Sequence, residues 1–128
     1  MLPLAHAPAW LVASLLLVAG VVYGSLALIG PDLPLPTHFD KLEHLVVYAA
    51  LALWFTGLVQ RRHYWTVIVG LAVLGLALEY LQFEMRRGRM GDPWDMVANL
   101  LGIGAGVMLA VTRTGGWAPK VEAWLSRN

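Results

Sequence analysis

Residues 79–99, "EYLQFEMRRGRMGDPWDMVAN", decide how the chain is read. Here Glu79, Gln82, Arg86, Arg87, Arg89, Asp92, Asp95 and Asn99 crowd between two long apolar runs. A polar turn accounts for the middle of the stretch. It does not account for Glu79 and Asn99, which lie inside the flanking apolar segments. An ionisable side chain at membrane depth costs about 2.5–3.5 kcal/mol on the insertion scale, which makes such residues functional candidates by default.

The rest of the chain fits a lipid environment. Its 128 residues are 59% hydrophobic and 13% charged, with a mean hydropathy of +0.65. A soluble domain carries about 25% charged residues. A formal charge of +1 gives no nucleic-acid-binding surface, so no nucleic-acid partner is expected. Without cysteine there are no disulfides and no thiolate metal sites. The length suits one domain over residues 1–128 with no separate soluble catalytic module.

About 20 apolar residues cross a hydrocarbon core, which predicts spans over residues 9–29, 41–59, 64–83 and 93–112. "GPDLPLPTHFD" (30–40) separates the first two, its prolines stopping any helix. The tail "GGWAPKVEAWLSRN" sets Trp117, Val121, Trp124 and Leu125 at helical spacing. The expected fold is therefore all-α, a four-transmembrane-helix bundle with a short C-terminal interfacial helix. Ser25 and Ala27 resemble a small-residue cleavage site, but the first span lacks a basic n-region and exceeds a signal h-region, so it is expected to be retained. Trp10, Trp65, Trp94 and Trp117 sit near span ends and read as interfacial belts.

Four antiparallel spans bring the start of span 2, the end of span 3 and the start of span 4 to one side. There "DKLEHLVVY" (40–48) meets the opening stretch, forming a polar layer in one leaflet. Asp40, His44 and Tyr48 share one helix stripe, and Asp95 and Asn99 share another. Asn99 lies about 10 Å below Asp92, and Glu79 about 6 Å below Phe83. Beside Asn99, the ladder Ala98, Gly102, Gly106, Ala110 admits close helix approach, and span 1 carries Gly20 and Gly24 at the same spacing. These small-residue faces also offer a surface for a homo-oligomer. With termini inside, five basic residues lie inside (Arg61, Arg62, Arg113, Lys120, Arg127) and four outside (Lys41, Arg86, Arg87, Arg89). If nearby carboxylates hold the loop arginines, the balance favours cytoplasmic termini.

Plainer roles compete for several of these residues. Asp92 before Pro93 reads as an N-cap with Asp95 facing the helix dipole, and Thr37 to Asp40 as a capping box. A structural ion pair would explain Glu79, and an interhelical hydrogen bond would explain His44.

Taken in order, "DKLEHLVVY" (Asp40, Lys41, His44, Tyr48), "EYLQ" (Glu79, Gln82) and "RMGDPWDMVANLLG" (Arg89, Asp95, Asn99, Gly102) resemble the VanZ-like family, named for a protein associated with teicoplanin resistance. The match covers roughly residues 37 to 107. The resemblance implies a small, multi-pass protein of the bacterial inner membrane and cell envelope, without implying a chemistry or glycopeptide resistance.

Three functions suit the layer. The first is binding of an anionic lipid headgroup or lipid-linked envelope intermediate. Its candidate ligand-binding residues are Asp40, Lys41, His44, Tyr48, Glu79, Gln82, Arg89, Asp92, Asp95 and Asn99, with Arg89 and Lys41 gripping phosphate. The second is an intramembrane enzyme acting on a lipid phosphoester or acyl group, with His44, Glu79 and Asp95 as catalytic residues. These three and Asp40 offer imidazole and oxygen donors, but no recognised metal or nucleophile signature occurs, so no metal and no cofactor are expected. The third is proton- or ion-coupled transport through His44 and Glu79.

Overall fold

A computed structural model describes residues 2–27, 39–85 and 93–127. They form α1 (Ala7–Ala27), α2 (Phe39–Leu58), α3 (Tyr64–Met85), α4 (Pro93–Leu109) and α5 (Trp117–Leu125), with a 3-10 turn at Arg61–His63 and a π turn at Ala110–Thr114. The chain is all-α, and four helices are long and apolar enough to cross a membrane. The four predicted spans coincide with them to within a few residues at each end. Residues 30–38 of the Pro-rich break and Arg86, Arg87, Arg89 and Asp92 lie outside the described residues.

The most extensive helix contact joins α2 and α4, which run parallel. Glycine makes it possible. A Cβ on Gly102 would meet the Leu45 carbonyl, and one on Gly106 would stand 2.5 Å from the Ala49 oxygen and 2.7 Å from the Ala52 Cβ. Backbone therefore lies on backbone. Such close packing holds helices together in lipid, where association gains no hydrophobic driving force. The glycine ladder of α4 is thus occupied within the chain. Tyr48, Leu51, Ala52, Val67, Leu71 and Ile103 form the core around this seam. Leu15, Val73, Leu76, Leu101 and Met108 point outward, as side chains facing lipid should.

Helix α1 stands off from the other three and is held near its ends. Toward its C-terminus, Gln82 Nε2 donates to the Ser25 carbonyl (2.9 Å) and hydroxyl (3.0 Å). Near its N-terminus, Trp10, Trp54 and Trp117 pack with ring centroids 5.3–5.8 Å apart. Their indoles donate to Glu122, Ser14 and the Leu53 carbonyl, respectively, each at 2.9 Å. Trp10 and Trp117 thus tie helices together, unlike the simple belt role their positions suggested. Trp65, Trp94 and Trp124 are exposed. Gly116, with φ of 69°, turns the chain into α5 through a left-handed conformation open to glycine. Trp117 and the fully buried Ala118 seat that helix on the bundle.

Two outcomes follow. Gly106→Leu should be destabilising by about 1–3 kcal/mol or more, since the opposing backbone cannot yield to an overpacked side chain. Leu109→Ala, at a 40% exposed position, should be nearly neutral. Thermal unfolding in detergent separates them, and equal midpoints would place α4 at the periphery.

The second concerns Glu122. Desolvation alone would raise its pKa, but the His6 and Ala5 amides, the Trp10 indole and the His6 ring together hold it below its ordinary 4.5. A depressed carboxylate stabilises fully above its unfolded pKa and loses that contribution as pH falls through the folded one. The tryptophan emission should therefore change on acidification below about pH 4.5, the ordinary value. Glu122→Gln should already show the altered emission at neutral pH.

Candidate functional site

Three helices deliver the polar layer. On α2, His44 lies one turn past Asp40 and one before Tyr48. On α4, Asp95 and Asn99 occupy the stripe turned toward the bundle, 7% and 1% exposed. On α3, Glu79 enters from the opposite direction. At 1.5 Å per residue, His44, Glu79 and Asn99 all lie about 8–9 Å inside the ends of their helices. The close α2–α4 seam brings His44 against Asn99.

The geometry is specific. His44 Nδ1 lies 2.9 Å from Asn99 Oδ1, and His44 Nε2 lies 3.8 Å from Asp95 Oδ2. The other Asp95 oxygen accepts from Lys41 Nζ at 3.1 Å. Lys41 Nζ also lies 3.5 Å from Asp40 Oδ2 at the more exposed rim. One lysine thus links two carboxylates, and one of those carboxylates links the lysine to the histidine. Donor atoms of His44, Glu79 and Asp95 all fall within 4.8 Å of one another.

Among the described residues, the buried Tyr48 hydroxyl and Asn99 amide nitrogen have no hydrogen-bond partner. Both abut Gly75, where an added Cβ would stand 3.0 Å from Asn99 Nδ2 and 3.2 Å from Tyr48 Oη. Gly75 lies one turn from Glu79 on α3, and its missing side chain leaves space for both groups. A glycine four residues before an intramembrane glutamate is the sequence signal for this space.

A cavity of about 360 Å³ opens beside these groups. Leu16, Leu17, Gly20, Val21 and Gly24 of α1 form its apolar wall, while His44, Tyr48, Glu79 and Asn99 contribute polar groups. Gly20 and Gly24 have nothing within 4 Å of a Cβ position, so here small residues make room instead of a helix contact.

The structure thus brings together Lys41, His44, Tyr48, Glu79, Asp95 and Asn99, with Asp40 at the rim. Gln82 is buried but engaged with Ser25, which makes it a support for α1. Arg89 and Asp92 lie outside the described residues. The site can hold a proton between imidazole and carboxylate, or a cation among three donors, next to apolar space.

The chain matches no protein-family model, and neither a curated protein nor a solved structure gives a significant match.

His44→Ala and Glu79→Gln should leave the protein inserted and monodisperse, because the backbone contacts of Gly102 and Gly106 with Leu45, Ala49 and Ala52 involve neither side chain. Asn99→Ala, at a fully buried position in the α2–α4 seam, should lower thermal stability by about 1–3 kcal/mol through the unpaired imidazole it leaves behind. Size exclusion and thermal unfolding of the three variants provide the check, and aggregation of the first two would assign His44 and Glu79 to packing.

Proposed function

We propose that the protein binds the phosphate-bearing head of an anionic lipid, or of a lipid-linked envelope intermediate, within one leaflet of the bacterial inner membrane. The observation that carries this reading is the cavity between α1 and the other spans. It joins an apolar helical wall to a buried polar cluster in about 360 Å³, within the about 300–1,000 Å³ usual for ligand pockets. An amphiphile needs both surfaces. Lys41, which pairs with Asp40 and Asp95 beside the cavity and does not line it, would supply a charge-assisted donor for phosphate, and the loop arginines read from the sequence would add to it. The resemblance of the ordered motifs to those of the VanZ-like family is consistent with a cell-envelope role, and the basic-residue balance favours cytoplasmic termini.

An intramembrane enzyme is the second reading, favoured by the convergence of His44, Glu79 and Asp95. Such a group could position a water or polarise a lipid phosphoester. Transport has less support, because Leu51, Leu71 and Ile103 pack in the core on the way to the opposite face.

The test is native mass spectrometry with phosphatidylglycerol and phosphatidylcholine as probes. Wild type should retain the anionic lipid preferentially. Lys41→Gln should weaken that retention ten- to a hundredfold, since a hydrogen bond to a charged group contributes about 1.5–3 kcal/mol. Equal retention of both lipids by both proteins would refute the reading. Orientation is checked in parallel by cysteines at Met85 and Arg62, since the chain has no cysteine of its own. An impermeant thiol reagent added outside should label only the first.

A further inference from the structure

We propose that His44 Nε2, Glu79 and Asp95 Oδ2 form a binding site for a divalent transition-metal ion, zinc or manganese, beside the α1 cavity. These residues form no recognised metal-binding motif in the sequence. What carries the inference is the arrangement of protons and lone pairs. An amide oxygen can only accept, so the contact from Asn99 Oδ1 places a proton on His44 Nδ1. In the neutral ring, Nε2 then presents a bare lone pair. It faces Asp95 Oδ2 at 3.8 Å, with a Glu79 oxygen close to both.

His44 Nε2 and the two carboxylates converge in a low-dielectric interior, where Lys41 offsets the Asp95 charge through its other oxygen and an ion shared by all three would lower their mutual repulsion further. The surroundings are those of a metal site. A ligating histidine commonly donates its second ring N–H to an oxygen acceptor, and ligating carboxylates are themselves hydrogen-bonded. Asn99 does the first for His44, and Lys41 does the second for Asp95. Ligands about 2.0–2.2 Å from an ion stand about 3–4.3 Å apart. The His44–Asp95 separation already fits, and small side-chain rotations suffice for the remainder, none of which exceeds 4.8 Å.

A second observation points to what the ion would hold. The Tyr48 hydroxyl and the Asn99 amide nitrogen are donors without acceptors, on residues 3% and 1% exposed, and both residues line the same cavity as His44 and Glu79. They are suited to an oxygen atom in the open coordination position, either of water or of a phosphate. One imidazole with two carboxylates suits zinc or manganese better than the all-oxygen preferences of magnesium and calcium. Three protein ligands leave that open position available. The ion site stands independently of the lipid reading. Where that reading holds, the ion reconciles a carboxylate-rich pocket with an anionic headgroup.

The full-length protein in detergent is stripped with a chelator and titrated with zinc chloride by calorimetry and with manganese chloride by electron paramagnetic resonance. One saturable ion per chain is expected. His44→Ala, Glu79→Gln and Asp95→Asn should each weaken binding more than tenfold, while Glu84→Gln, an exposed carboxylate on α3, should not. Asn99→Ala should weaken it by about 10–100-fold, as loss of an outer-shell partner does. If the ligand variants fail to fold, cobalt-loaded wild type must show coordination by a single imidazole in its magnetic resonance spectrum. Wild type that binds no stoichiometric ion overturns the site, as does binding unchanged by His44→Ala and Glu79→Gln. In that event His44 and Asp95 form an imidazolium–carboxylate pair. Lipid retention by the stripped protein keeps the two proposals apart. Lipid without ion removes only the metal site, and ion without lipid removes only the lipid reading.

Discussion

The close approach of α2 and α4 is the constraint from which the rest of the structure follows. Without side chains at Gly102 and Gly106, the two backbones meet across a seam that no larger residue would permit. In lipid that contact replaces the burial force a soluble bundle would use. It also fixes a register. Because the helices run parallel, residue 44 on one falls beside residue 99 on the other, and the imidazole–amide pair is set by the backbone before any side-chain preference acts. The antiparallel α3 then adds Glu79 from the opposite direction, and Gly75 gives Tyr48 and Asn99 the space to stand beside it.

A low dielectric raises the stakes for each polar group in this layer. Elsewhere in the bundle, Thr56 donates to the Ala52 carbonyl of its own helix. Gln82 is satisfied across helices by Ser25. The layer around His44 differs, since it combines a charged network with donors that have no acceptor. An unpaired buried polar group forfeits roughly 1–3 kcal/mol.

Much of this was legible in the sequence, and the reasons are physical. Polar residues within apolar spans are expensive enough to mark a site, and antiparallel threading dictates which span ends share a side. The i, i+4 spacing of Asp95 with Asn99 and of Gly102 with Gly106 announced one polar and one small-residue stripe on α4. Other features depend on partners remote in sequence. Gln82 sits one turn beyond Glu79 and looked like part of the same site, but its hydrogen bonds go to Ser25 on α1. Trp10 and Trp117 occupy span ends, where a lipid-facing belt and an inward-facing cluster look alike. Only the facing glycine distinguishes them, since Gly57 leaves the space that the Trp117 indole fills. The glycines of α1 and α4 share one spacing but serve opposite purposes, one pair making a void and the other a contact.

The attachment of α1 gives the cavity unequal walls in a mechanical sense. Hydrogen bonds at Ser14 and Ser25 pin the helix at two points, about 16 Å apart at 1.5 Å per residue. Between them a Cβ on Gly20 or Gly24 would meet nothing within 4 Å among the described residues, while Val21 packs against the core, so the segment is lightly supported between its two pins. Curving it to a radius of about 60 Å, within the ordinary range for helices, displaces its midpoint by about half an ångström without breaking either support. The facing wall has no such freedom, because His44 and Asn99 are set by the glycine seam. Compliance and rigidity are therefore divided between the two sides. Apolar width adjusts at little energetic expense, and the polar geometry opposite it stays fixed.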